Sequence, residues 1–207
     1  TEGSNYVNIY VPSRVKPEKG DVSPWLDYLE HLIPEELDRT EVIRWCATLV
    51  ERPDVRMQYG ILLYSKKQGV GKSTLGEKIL DPLIGTQNVS VPSERELVDS
   101  AYNYWLAEKR LAIVHEIYSG NSSKAYNNLK SYMTDTHVDV KKKFIPNYKL
   151  ENWIHILACS NSSKALKIDN DDRRWLVPKV TEKVQPPEYW IKLNRWLTRE
   201  GGLEKVK

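Results

Sequence analysis

Apolar residues follow two different rhythms along this chain, and the change between them divides it. From residue 23 to residue 53 they recur at helical spacing: Trp25, Leu26, Leu29, Leu32 and Ile33, then Val42, Trp45, Cys46, Leu49 and Val50. Ser23-Pro24 reads as an N-cap and a first-turn proline, and Pro34 restarts the pattern, which ends at Pro53. Upstream, NYVNIYVPS carries a short extended pattern before a polar stretch with Pro17 and Gly20. From about Gln58 the rhythm changes. GILLYS (60–65), RLAIVHEI (110–117) and IHILACSN (154–161) are continuously apolar at their centres, as strands buried on both faces must be. NVSVP (88–92) is a further candidate strand.

Helical segments separate these runs. One follows the loop 66–71 and runs through Leu80, halted by Pro82. A second opens on a Ser93/Glu96 capping box and runs to about Lys109. A third lies near 123–133. A last helix opens at Pro186-Pro187, with Trp190, Leu193, Trp196 and Leu197 on one side and Gly201-Gly202 past its end. HVDVKKKFIPNYKLENW (137–153) alternates and turns like a β-hairpin. Strand, loop and helix in alternation predict an α/β fold with a largely parallel sheet. The division predicts an N-terminal extension with a small helical segment over 1–57 and a main domain over 58–207.

Composition changes this picture little. The chain has 207 residues, 40% of them hydrophobic, enough for one domain with an appendage. A net charge of +3 is too mild to indicate a partner, so the local distribution of charge must decide. Cys46 and Cys159 lie in apolar runs without a ligand pattern and read as buried, reduced thiols. No apolar run reaches membrane-spanning length and no signal-like segment opens the chain, which predicts an intracellular protein without a membrane partner. The first residue is Thr1 and not Met, so the start was processed or the chain is part of a larger polypeptide.

The chemistry starts at YSKKQGVGKST (64–74). A phosphate loop reads Gly, four residues, Gly-Lys-Ser/Thr. Gly71-Lys72-Ser73 matches its end, but Lys66 stands where the first glycine belongs. The backbone of Gln68, Gly69, Val70, Gly71, Lys72, Ser73 and Thr74 would form the cradle at a helix start. Lys72 would reach the β- and γ-phosphates of ATP, and the Ser73 hydroxyl would sit on Mg²⁺. The plainer alternative is a glycine-bearing turn into an ordinary helix. A carboxylate on a neighbouring strand completes such a site. The 110–117 run ends in His115-Glu116, where Glu116 would polarise the attacking water or hold Mg²⁺, and a solvated strand-end Glu is the bland reading. Asn161 at the tip of the 154–161 run would hydrogen-bond the γ-phosphate or the water. Arg173 and Arg174, in DDRRW (171–175), are candidates to stabilise charge in phosphoryl transfer, against an ion-paired surface turn. At the hairpin, Lys141, Lys142 and Lys143 precede Phe144, the chain's only Phe. Cations for phosphates and an aromatic face for bases are what single-stranded DNA binding needs, and Lys130, His137, Tyr148 and Lys149 add to that patch.

QGVGKST after a strand, then HE, SN and DDRRW in that order, resemble superfamily 3 helicases, closest to the primase–helicases of phages, plasmids and poxvirus-type viruses. The resemblance spans roughly residues 25–180 and includes the preceding helical segment and the hairpin element. It implies an AAA+-type P-loop ATPase core that assembles as a homo-oligomeric ring, commonly a hexamer, and moves along single-stranded DNA. Lys72, Ser73, Glu116 and Asn161 would belong to one subunit, and Arg173 or Arg174 would reach in from its neighbour. A primase or polymerase domain in the same parent polypeptide is a further expectation. Lys66 and His115 depart from the family pattern. Two alternatives stay open: a nucleotide-dependent DNA-binding ring module with weak or no hydrolysis, and a P-loop phosphotransferase acting on a small molecule.

Overall fold

The computed structural model describes residues 10–98, 102–116, 122–162 and 172–207. Two helices lead, α1 (Ser23–Leu32) and α2 (Glu36–Glu51). Their apolar stripes bury Trp25, Tyr28, Leu29 and Leu32 from the first, and Val42, Trp45, Cys46 and Leu49 from the second. Ser23 is the first helical residue and not the cap. Val22 occupies the cap position without a side-chain cap bond, and the Asp21 carboxylate before it accepts from the Ser23 amide at 2.9 Å. Residues 10–13 of the expected N-terminal extended stretch form no strand, and the rest of that stretch lies outside the described residues.

The three apolar runs become β1 (Gly60–Tyr64), β3 (Leu111–His115) and β6 (His155–Ser160). Two short strands flank them, β2 (Val89–Ser90) and β7 (Trp175–Leu176). The order across the sheet is β2-β3-β6-β1-β7, with every pairing parallel. Alternate side chains enter opposite cores, because successive strand residues point to opposite faces. Ile61, Leu63, Ile113, Leu157 and Cys159 pack with α1, α2 and the C-terminal helix α7 (Pro187–Arg199) in one continuous cluster. Leu62, Ala112, Val114, Ile156 and Ala158 face α5 (Glu94–Val98) and α6 (Ser122–Thr134). Each fully buried Leu or Ile contributes roughly 1.5–3 kcal/mol relative to exposure. Among the described residues no helix is long and apolar enough to cross a membrane.

Three expectations need correction. Pro82 does not halt its helix. The helix starts as α3 (Lys72–Thr74), widens to a π-helix over Leu75–Leu80 and returns to α geometry as α4 (Asp81–Ile84). The Asp81 amide reaches back five residues to Gly76, so the wider turn ends just where proline lacks a donor. The helix opened by Ser93 is short. The capping box is present, with the Ser93 amide donating to Glu96 at 2.8 Å, but Tyr102 and Asn103 are not helical and only a 3-10 turn follows over Tyr104–Leu106. Finally, Gly201 and Gly202 do lie past the end of the helix opened at Pro187, but that helix is not the last: after Gly201 in the left-handed region, Gly202 opens α8 (Gly202–Val206).

The hairpin is β4 (His137–Lys142) and β5 (Ile145–Glu151), antiparallel, with a bulge between Val140 and Lys142. Val138 and Val140 bury one face against Ala107, Tyr132 and Leu150. Cys46 and Cys159 are both buried free thiols, and burial pushes each up to about 12.

Candidate functional site

The carboxyl ends of β1, β6 and β3 lie side by side. Tyr64 pairs with Ser160, and His115 with Cys159, so the next residues on all three strands emerge at one edge of the sheet. In open parallel sheets this edge is where ligands bind. A cleft of about 440 Å³ opens there. It is lined by Gln68, Gly69, Gly71, Lys72, Ser73 and Thr74 from the loop and helix start, by His115, Glu116, Cys159 and Asn161 from the strand ends, and by Trp190 of α7.

Within the cleft three of the expected side chains form one hydrogen-bonded line. Lys72, 7% exposed as a residue, donates from its ammonium to Asn161 Oδ1 at 2.7 Å and to the Lys67 carbonyl at 3.2 Å. The Asn161 amide donates to Glu116 Oε1 at 2.8 Å. Burial holds Lys72 below the ordinary lysine range, while Glu116 and Glu182 pull in the opposite direction. Glu116 sits at φ 51°, a left-handed backbone that costs a non-glycine residue roughly 1–2 kcal/mol. This turn follows the last strand contact, from the Glu116 amide to the Cys159 carbonyl at 2.9 Å.

The loop explains its own departure from the expected pattern. Gly69 and Gly71 have φ of 75° and 106°, and a Cβ on Gly71 would come within 2.6 Å of Trp190, so glycine is required there. Lys66 is not among the residues with positive φ. Its amide and that of Lys67 instead donate to the two oxygens of Glu182, at 2.9 and 3.0 Å. Those amides, Lys66 first, hold the Glu182 carboxyl below the usual glutamate range. Behind the loop, buried Tyr28 donates to the Gly71 carbonyl at 2.9 Å. His31 Nε2 lies 3.2 Å from the Val70 carbonyl, and Gln185 reaches His31 Nδ1 at 3.2 Å. These contacts fit a neutral ring protonated at Nε2, and burial lowers its proton affinity.

Other expected residues are placed as follows. Val70 sends its side chain into the core, leaving only its backbone to the loop. Ser73 is exposed at the cleft. His115 is paired with Glu77, Nε2 to Oε1 at 2.8 Å. Among the described residues no three His, Cys, Asp or Glu side chains converge as a metal site. Arg174 grips Asp172 through Nε at 2.7 Å and Nη2 at 3.2 Å, while Arg173 is exposed. Asp171 lies outside the described residues. Burial pushes Asp172 upward, but hydrogen bonds from Arg174, Tyr126 and Lys130 outweigh it and hold the carboxyl well below the usual range. Lys130, expected to add to the hairpin patch, places its ammonium 3.1 Å from Asp172. At the hairpin tip Phe144 is 92% exposed at φ 65°. Lys143 lies over its ring and Lys142 lies over Tyr104.

Tyr28, His31, Glu182 and Trp190 carry no functional signal in the sequence. Trp190 reads only as part of the apolar side of the last helix, and nothing local marks Glu182, 116 residues beyond the Lys66 amide it accepts from.

A five-stranded parallel sheet flanked by helices, with a cleft at its carboxyl edge, is an open α/β fold. The apo C-terminal region of NrS-1 superimposes on the whole chain with a TM-score of 0.82, at 22% identity and covering 51% of that structure. A JCV helicase structure matches 88% of the chain with a TM-score of 0.50 at 13% identity, covering 51% of the helicase chain. In sequence, the DNA primase-polymerase of Nitratiruptor phage NrS-1 is 23% identical over 197 residues. The match takes in 91% of this chain and only 27% of that protein, so the chain spans about a quarter of its relative. The family of unknown function DUF5906 matches residues 63–174, from the end of β1 through Arg174, and the chain belongs to that family.

Proposed function

We propose that this chain is the ATP-driven motor region of a DNA replication protein, moving along single-stranded DNA as a ring of identical subunits. The observation that carries the reading is the line Lys72–Asn161–Glu116, which joins the helix start after β1 to the ends of β6 and β3, beside a loop that needs glycine at Gly69 and Gly71. A buried cation beside backbone amides suits phosphate, and a carboxylate held through an amide suits a water-orienting role. The residues fit Mg²⁺ as well: the exposed Ser73 hydroxyl and Glu116 are hard oxygen donors on one cleft, and Mg²⁺ takes few protein ligands beside substrate phosphates. When bound, the ion would neutralise phosphate charge. Lys72 would exchange its contact with Asn161 for phosphate oxygens, freeing the Asn161 side chain to turn to the γ-phosphate or the water. Arg173, exposed while Arg174 is held by Asp172, would serve a neighbouring subunit. A linked primase domain in the parent protein is consistent with the phage relative, a DNA primase-polymerase.

A second reading has one observation in its favour. The strand end offers one acid, and His115 beside it is occupied by Glu77. The chain would then bind nucleotide to assemble on DNA, with weak or no hydrolysis. ATP turnover with and without single-stranded DNA, in wild type and Glu116→Gln, separates the two. Turnover raised by DNA and lost in the variant supports the motor; nucleotide and DNA binding without turnover supports the assembly module. Absence of nucleotide binding would overturn both.

A further inference from the structure

Tyr104 lies outside the hairpin, yet the fold seats it there. Asn103, only 7% exposed, clasps the outer edge of β4. Its amide donates to the Lys141 carbonyl at 3.2 Å, its side-chain carbonyl accepts from the Lys141 amide at 2.7 Å, and its Nδ2 donates to the Asp139 carbonyl at 2.9 Å. A strand edge that would otherwise present unpaired amides is thereby covered, and the next residue is fixed against the hairpin. The result is two lysine–aromatic pairs in succession. Lys142 Nζ lies 3.8 Å from the centre of the Tyr104 ring, and Lys143 Nζ lies 4.9 Å from that of Phe144. Tyr104 remains 43% exposed. Burial does not explain the two exposed rings. A left-handed backbone is a costly place for Phe144, where glycine or asparagine would be easier.

Resting on the DNA-binding reading above, we infer that Tyr104 is a second base platform, so that the surface takes consecutive nucleotides of a single strand. Each unit joins an ammonium for a phosphate to a ring for the neighbouring base. The occupant is set by chemistry: Lys141, Lys142 and Lys143 supply positive charge for a polyanion, and flat exposed rings need unpaired bases. A paired duplex hides its base faces and gains nothing from Tyr104.

The test uses the whole chain and a fluorescein-labelled oligo-dT single strand, with affinity measured by anisotropy across a salt series. Stacking and charge leave different signatures. Removing lysines lowers the slope of log affinity against log salt, whereas removing a stacking ring lowers affinity at every salt concentration with the slope unchanged. Y104L fills the space without a π face and is expected to bind about tenfold more weakly at unchanged slope. Y104F keeps the face and is expected to match wild type. Duplex DNA affinity is expected to be the same in all three. Wild-type affinity in Y104L, or a loss in Y104F equal to that in Y104L, overturns the inference. If wild type binds no single strand, the inference falls together with the DNA-binding reading. If a variant with Lys141, Lys142 and Lys143 all changed to Ala weakens binding and Y104L does not, the inference alone falls.

Discussion

The side chains of Lys72 and Asn161 meet, Nζ to Oδ1 at 2.7 Å, although 89 residues separate them in the chain. The contact joins the first turn after the glycine loop to the tip of β6 and extends through Asn161 to Glu116. Two substitutions divide its proposed roles. Lys72→Ala removes the only charge in that line that attracts phosphate, and is expected to weaken ATP-analogue binding by about 10–100-fold, the size of a charge-assisted hydrogen bond. Glu116→Gln keeps shape and hydrogen-bonding reach, and is expected to retain binding while turnover falls by about 100-fold or more. Calorimetry with a non-hydrolysable analogue and a phosphate-release assay read the two effects separately. Equal affinity in wild type and Lys72→Ala would refute the phosphate-loop assignment.

Glu182 supports the loop at the position where the phosphate-loop pattern has its first glycine. Its carboxylate accepts two successive amides, and it is held below its ordinary proton affinity by them. The clamp is therefore complete above the unfolded glutamate value and lost as pH falls through the lower folded value. Glu182→Ala frees the amides of Lys66 and Lys67. Hydrogen exchange at those two amides is expected to rise, and nucleotide affinity to fall several-fold, with no change in turnover at saturation. Unchanged exchange at both amides would show that the clamp does not hold the loop in solution.

Much of this arrangement is legible in the amino-acid sequence alone. Continuous apolar runs mark β1, β3 and β6 because strands buried on both faces cannot alternate. The hairpin is legible from its period of two. β7 escapes a reading by pattern because two residues, Trp175 and Leu176, carry no period, and α8 escapes it because glycines after a helix usually signal an end. Pro82 misleads because a proline normally breaks an α-helix, and only the π register allows it to pass. At the cleft, Lys72, Glu116 and Asn161 can be named from type and position at strand ends. Glu182 and His31 cannot, since their meaning comes from partners distant in sequence. The choice between Arg173 and Arg174 also depends on a contact, the Asp172 pairing.

His155 should govern acid stability. It is fully buried, accepting from the Met57 amide at 2.9 Å through Nε2, with Nδ1 lying 3.2 Å from the Arg110 carbonyl. Burial, with Arg110 close by, lowers it to about 3. The unfolded chain binds this proton near the ordinary histidine value of about 6.5, so between these values the unfolded state holds more protons. Stability from this group is complete above that ordinary value and is lost progressively as pH falls towards the folded value, by up to about 1.4 kcal/mol per pH unit. Urea denaturation at pH 7, 6, 5 and 4 measures the slope. His155→Gln has no proton to gain, and is expected to start less stable but lose less over this range. Parallel slopes in the two proteins would assign the acid sensitivity elsewhere.

Arg173 and Arg174 are adjacent, but the fold treats them differently. Arg174 is engaged with Asp172, which also accepts from Tyr126 and Lys130, so its removal strips a charged partner from a carboxylate whose side chain is 2% exposed. Arg174→Ala is expected to lower stability by about 1–3 kcal/mol. Arg173 is exposed, and its removal is expected to leave the melting temperature unchanged. Their effects on turnover should run the other way. An arginine supplied by a neighbouring subunit can be worth about a thousandfold in phosphoryl transfer, so Arg173→Ala is expected to bind ATP but hydrolyse it poorly. Mixing it with Lys72→Ala protein tests the ring. At some interfaces an intact Lys72 from one subunit meets an intact Arg173 from the next, and partial ATPase activity returns. A monomeric enzyme cannot recover activity this way. Failure to recover at every mixing ratio, with both variants shown to co-assemble, would place Arg173 outside the neighbouring site. Recovery with Arg174→Ala in place of Arg173→Ala would reverse the assignment of the two arginines.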